Sequence, residues 1–95
     1  MSDLRRALDA ARGRFCQRAR DDRVQLRAAV AAGDLLSTSS IAHRLAGSAA
    51  MYGYPAASEA GEALETVLSQ HSSLTCQIID AVDLLCAELE KLEED

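Results

Sequence analysis

The sequence predicts an all-α protein: an antiparallel up-down four-helix bundle with an additional N-terminal helical segment. Three observations point there. Alanine and leucine dominate and β-branched runs are nearly absent, a composition that favours helices. Apolar residues recur at spacings of three and four in four stretches, and the strict alternation of a half-buried strand occurs nowhere. Short turn and cap signals separate the stretches, and short connections force antiparallel neighbours.

The first stretch carries Leu4, Leu8, Ala11 and Phe15, then Leu26, Ala29 and Val30. Its length, about 30 residues at 1.5 Å each, overshoots the others. An interruption is therefore expected at Gly13 or at Asp21-Asp22. One bundle helix then runs from about Asp21 or earlier to Ala32, and the N-terminal part becomes a capping helix. "AAGD" (Ala31–Asp34) follows, with Gly33 to stop one helix and Asp34 to cap the next. The second stretch carries Ile41, Leu45, Ala49 and Tyr52. "YGYP" (Tyr52–Pro55) makes a turn and places a proline at a first helical position. Ala57, Ala60, Leu64, Val67 and Leu68 mark the third stretch. "SQHSS" (Ser69–Ser73) is a polar loop ending in a cap, and Ile78, Val82, Leu85, Leu89 and Leu92 mark the fourth. Stretches two to four each span roughly 25–33 Å.

Ninety-five residues are read as a single domain over residues 1–95, with a thin core. The net charge of −5 argues against nucleic acid, because phosphate is repelled. Arginines from Arg5 to Arg27 alternate with acids and read as a solvated helix face. Cys16, Cys76 and Cys86 form no CxxC pair and read as buried free thiols in a reducing compartment. No apolar run approaches ~20 residues, and "MSDLRRALDAARGRF" lacks the apolar region of a signal peptide. A cytoplasmic, non-membrane protein is expected, and a monomer.

The informative stretch is "AHRLAGSAAMYG", Ala42–Gly53. With Ile41 at zero and ~100° per residue, Leu45, Ala49 and Tyr52 fall near the Ile41 side and His43 at ~200°. His43 therefore points to solvent. Its face holds only small residues: Ser39, Ser40, Gly47 and Ala50. A solvated face normally carries long charged side chains, and a mid-helix glycine costs about 1 kcal/mol relative to alanine. Close approach by another surface is one reason to accept that cost. Counting back from the turn near Gly53–Tyr54 places Leu64 opposite His43, flanked by Glu62 and Glu65. Glu65 lies at the seam edge, where it could accept from Nδ1–H of His43 and leave Nε2 as a nucleophile. The spacing of His43, Glu62 and Glu65 matches no metal-ligand pattern.

"IAHRLAGSAAMYG" resembles the signature of histidine-containing phosphotransfer (HPt) domains, an "AHxLKGSAxxxG" stretch around the phosphorylated histidine. Phe15, "LRAAVAAGD" (Leu26–Asp34) and "AGEALE" (Ala60–Glu65) are similar to the family's lead-in helix, its Gly-Asp turn and its "A/CxxLE". The resemblance implies His43 as phosphoryl acceptor, Gly47 as the glycine that admits a partner, Glu65 beside the histidine and Gly53 as the helix-ending glycine. The family usually has lysine three residues after the histidine; Ala46 stands there. Arg44, about 100° round the helix from His43, or an arginine of the first segment is left to supply that charge.

The resemblance implies a phosphorelay carrier exchanging its phosphoryl group with the aspartate of a response-regulator receiver domain, with a hybrid sensor kinase as a further partner. It needs no cofactor of its own, since Mg²⁺ belongs to the receiver, and it has no turnover. A non-phosphorylated helical adaptor or dimerisation module is the alternative, kept open by Ala46. An enzyme is disfavoured: there is no Gly-rich phosphate loop, no Ser-His-acid pattern, no zinc signature and little length for a deep pocket.

Overall fold

Two left-handed glycines and one proline set the first two helix boundaries of the computed structural model, which describes residues 2–93. Four helices follow in order: α1 (Ser2–Ala31), α2 (Leu35–Tyr52), α3 (Pro55–Ser69) and α4 (Cys76–Glu93), with no strand among the described residues. Gly33 (φ 69°) and Gly53 (φ 84°) adopt the conformation that a side chain disfavours, and each turns the chain into the next helix. Asp34 caps α2, accepting from the Ser37 backbone N–H at 3.0 Å and the Ser37 hydroxyl at 2.7 Å. Those two bonds hold the Asp34 carboxyl below the usual aspartate range. Pro55 stands in the first turn of α3.

α1 departs from the expected break. It is one uninterrupted helix of 30 residues, through both Gly13 and Asp21-Asp22. A single glycine costs about 1 kcal/mol, too little to stop a helix among alanines and arginines. Asp22 is not a cap: it is buried, and its carboxylate accepts from Arg44 of α2 at 2.5 Å. The N-terminal turns are therefore no separate capping helix but a continuation of the bundle helix. Leu4 and Leu8, which continue the apolar spacing of the first stretch, are exposed there, because α2 already ends beside Arg12, whose Nε donates to the Tyr52 carbonyl.

α1 packs on α2 and α4, and α3 packs on the same two, so the helices form a ring around one core. Leu26, Leu45, Leu64, Ile78, Val82, Leu85 and Leu89 fill it, almost wholly buried. Phe15 stacks on Tyr54 and tilts against Tyr52, both at 5.5 Å, and closes the end near the YGYP turn. Ion pairs from Arg23 to Glu90 and from Arg27 to Asp83 tie α1 to α4. Several of the arginines read as a solvated face thus bridge helices. The fourth helix is capped by Thr75, whose hydroxyl accepts from the Ile78 N–H, two residues beyond the end of the loop expected to supply the cap. Of the cysteines only Cys86 is buried, its thiol pushed up chiefly by that burial. Cys16 is half-buried beside the Tyr54 hydroxyl, and Cys76, at the start of α4, is exposed, against the expectation of three buried thiols.

The closest seam is α2 against α3. A Cβ on Gly61 would lie 2.9 Å from Ala46 Cβ and 3.2 Å from the Ala42 carbonyl oxygen. Ser58, buried one turn earlier, donates to the Ala46 carbonyl at 3.0 Å. Gly61→Ala gains about 1 kcal/mol of helix propensity but overpacks this seam by roughly 1–3 kcal/mol. The expected result is a net loss of about 1 kcal/mol, read as a lower urea midpoint. At Asp34 the folded carboxyl titrates below its unfolded value, so its stabilisation is present above the unfolded pKa and fades as pH falls through the folded one. Asp34→Asn keeps an acceptor for the cap, and its stability should decline less steeply across that acidic window in urea titrations.

Candidate functional site

α2 buries Ile41, Ala42, Leu45, Ala46 and Ala49, and the opposite face is open. His43 stands on that open face with its side chain 81% exposed. Around it Ser40, Gly47 and Ala50 are exposed and short, and a Cβ on Gly47 would meet nothing within 4 Å. Leu36 (86% exposed) and Met51 (75%) stand at the two ends of the same face. The ring is thus set in a low strip with an apolar side chain at each end. The sequence reading named the small residues and missed Leu36 and Met51, which the same helical count places on that strip.

The hairpin brings His43 and Glu65 together. Nδ1 of His43 lies 3.0 Å from Oε2 of Glu65, which is partly buried at the α2–α3 seam. A carboxylate only accepts, so Nδ1 carries the proton in the pair and Nε2 of the neutral ring keeps its lone pair, facing away from the seam. Glu62, one turn earlier on α3, is exposed with no side-chain bond among the described residues. Ser39 is half-buried and lines a shallow groove with Leu36, Glu65 and His71. His71 itself lies just beyond α3, as its position in the polar loop implied.

Two residues assigned to the site by resemblance are turned away from the imidazole. Arg44 points to α1, where it meets Asp22, whose side chain is only 6% exposed. A buried carboxylate left alone is costly, so that pairing holds the guanidinium on the α1 side. Ala46 is buried under Gly61 rather than displayed beside His43. The Asp22–Arg44 pair escaped the sequence reading because α1 was divided there. Among the described residues no three His, Cys, Asp or Glu side chains gather into a set able to hold a metal ion. No helix there is long and apolar enough to cross a membrane.

An exposed histidine on a short-residue strip, bonded through Nδ1 to a glutamate of the next helix, is the arrangement a phosphohistidine carrier needs. A family model described as "Hpt domain" matches residues 3–95. The chain belongs to the Hpt domain family. Hpt domains are phosphocarrier modules of two-component systems and interact with response-regulator receiver domains. No curated protein and no solved structure matches the chain.

In this Hpt domain the Glu65 contact makes a specific statement about the ring. Nitrogen-15 NMR of the neutral imidazole should show the proton on Nδ1 in the wild-type chain. In Glu65→Ala the Nε2–H form should gain, since nothing then holds the proton at Nδ1. An unchanged tautomer ratio would remove Glu65 from the site.

Proposed function

We propose that His43 is the phosphoryl acceptor of this chain and that its partner is a response-regulator receiver domain. The lone pair on Nε2 attacks the phosphorus of an aspartyl phosphate. The P–O bond to the aspartate breaks, the carboxylate leaves with that electron pair, and the phosphoryl group ends on Nε2. Nδ1–H stays bonded to Glu65 and steadies the positive charge that develops on the ring. The reverse transfer uses the same contacts. The phosphoryl group needs mainly positioning and charge stabilisation, and a rigid helix presenting one ring supplies the first. Mg²⁺ belongs to the receiver, so this chain carries no cofactor and turns nothing over. The observation that carries this reading is the exposed His43 with Nδ1 engaged by Glu65.

The scaffold we infer is an up-down antiparallel bundle formed by one domain, working as a cytoplasmic monomer. Paired residues support the direction: Arg12 with Tyr52 and Asp22 with Arg44 between α1 and α2, and Ser58 with Ala46 and Glu65 with His43 between α2 and α3. Each pair runs down one helix as it runs up the other. A hybrid sensor kinase, through a receiver of its own, offers the same chemistry upstream. The competing reading, a non-phosphorylated adaptor, draws on Ala46 standing where the family usually has lysine and on Arg44 being held by Asp22.

Incubation with a panel of phosphorylated receiver domains separates the two. Label should reach His43 as an acid-labile, base-stable adduct. His43→Gln should abolish it while the helical spectrum persists, and His71→Gln should leave it intact. Gly47→Lys, a long side chain one turn from the ring, should slow transfer at least about ten-fold by obstructing close approach. Label that survives in His43→Gln and vanishes in His71→Gln would assign the chemistry to the wrong histidine.

A further inference from the structure

The half of the open strip beyond His43 is bracketed by charges of opposite sign. α2 carries no charged residue from Ala46 to Tyr52. On its α1 side Arg14 and Arg18 line a groove with Ser48 and Met51. On its α3 side Glu59 and Glu62 line another with Ala50 and Ser58. The four charged side chains are exposed, and among the described residues none of them has a salt-bridge partner. Arg23, Arg27 and Arg44 differ in being paired with acids of neighbouring helices. α3 carries three acids and no lysine or arginine along its length. Asp21 follows Arg18 by one turn but lies at the Arg44 level, beyond this half of the strip.

A solvated face gains nothing from separating its signs, and interspersed charges keep a protein soluble equally well. Separated rails on either side of a low, uncharged strip create a field with a direction across it. A partner approaching the strip is turned by that field before contact, and a partner of opposite polarity is rejected. Each rail lies within about a Debye length of the strip between them, so both act on one docking event.

We propose that the two rails fix the orientation of the receiver on this chain. The receiver sets an acidic edge against Arg14 and Arg18 and a basic edge against Glu59 and Glu62, with its apolar centre over Gly47, Ala50 and Met51. Its phosphoaspartate then comes to His43 from one direction. This rests on the phosphocarrier reading and adds the charge pattern that the partner's surface must have.

The test uses a variant that exchanges the rails without altering net charge: Arg14→Glu, Arg18→Glu, Glu59→Lys and Glu62→Lys together. The probe is whichever receiver of the panel labels the wild-type chain fastest. Phosphoramidate, a small donor that needs no docking, serves as the control for His43 itself, and circular dichroism confirms the fold. The exchanged variant should accept from the receiver about ten-fold more slowly than wild type at low salt. The gap should narrow in about 0.5 M salt, and phosphoramidate should label both proteins equally. Receiver transfer at the wild-type rate in the exchanged variant, with phosphoramidate labelling intact, overturns the rails and leaves the carrier standing. Failure of both donors to label His43 in the wild-type chain overturns the carrier and the rails with it.

Discussion

A missing side chain sets how closely the two helices of the candidate site approach one another. Gly61 lets α3 come so close to α2 that even a methyl group would strike Ala46 and the Ala42 carbonyl. Ser58 fastens the same seam with a buried hydrogen bond. Glu65, one turn beyond Gly61, therefore reaches a ring that projects from the outer face of α2. A wider seam would carry the carboxylate away from Nδ1, and the proton on the ring would no longer have a fixed place. The small residues of α2 thus act twice. Those facing α3 permit the approach, and those facing solvent keep the ring uncovered.

α1 supplies the opposing constraint. It meets α2 through a buried carboxylate at Asp22 and through Arg12 at the last carbonyl turn. Phe15 locks both tyrosines of the YGYP turn between these points. α2 is consequently held from both sides while its outer face stays open apart from the His43–Glu65 contact. Rigidity of the helix and exposure of the histidine come from the same arrangement. The local consequence is that Arg44, adjacent to His43 in sequence, is committed to the core side and not to the ring.

The periodic stretches, the glycine turns, the Asp34 cap and the facing of His43 were legible because each depends on local geometry. The pairing of His43 with Glu65 was legible too, since a short hairpin fixes which residues lie opposite. The course of α1 was not. Gly13 and Asp21-Asp22 resemble breakers, and only the tertiary partner of Asp22 shows why the second does not act as one. Nor was the burial of Ala46: its angle on the helix is near the boundary of the stripe, and the missing side chain of Gly61 decides it. The cysteines failed for a related reason, because a residue type says little about depth when the loop before α4 ends at Thr75 and leaves Cys76 outside.

The length of α1 has a mechanical meaning. Asp22 is level with Arg44, the neighbour of His43, and Ser2 lies 20 residues earlier on the same unbroken helix. That is about 30 Å along the axis. Only the turns before Arg12, about 15 Å of helix, stand clear of α2, and they leave the imidazole and its strip uncovered. Because the helix is unbroken from there to the Asp22–Arg44 pair, the direction of those turns and that of the histidine strip are fixed relative to one another.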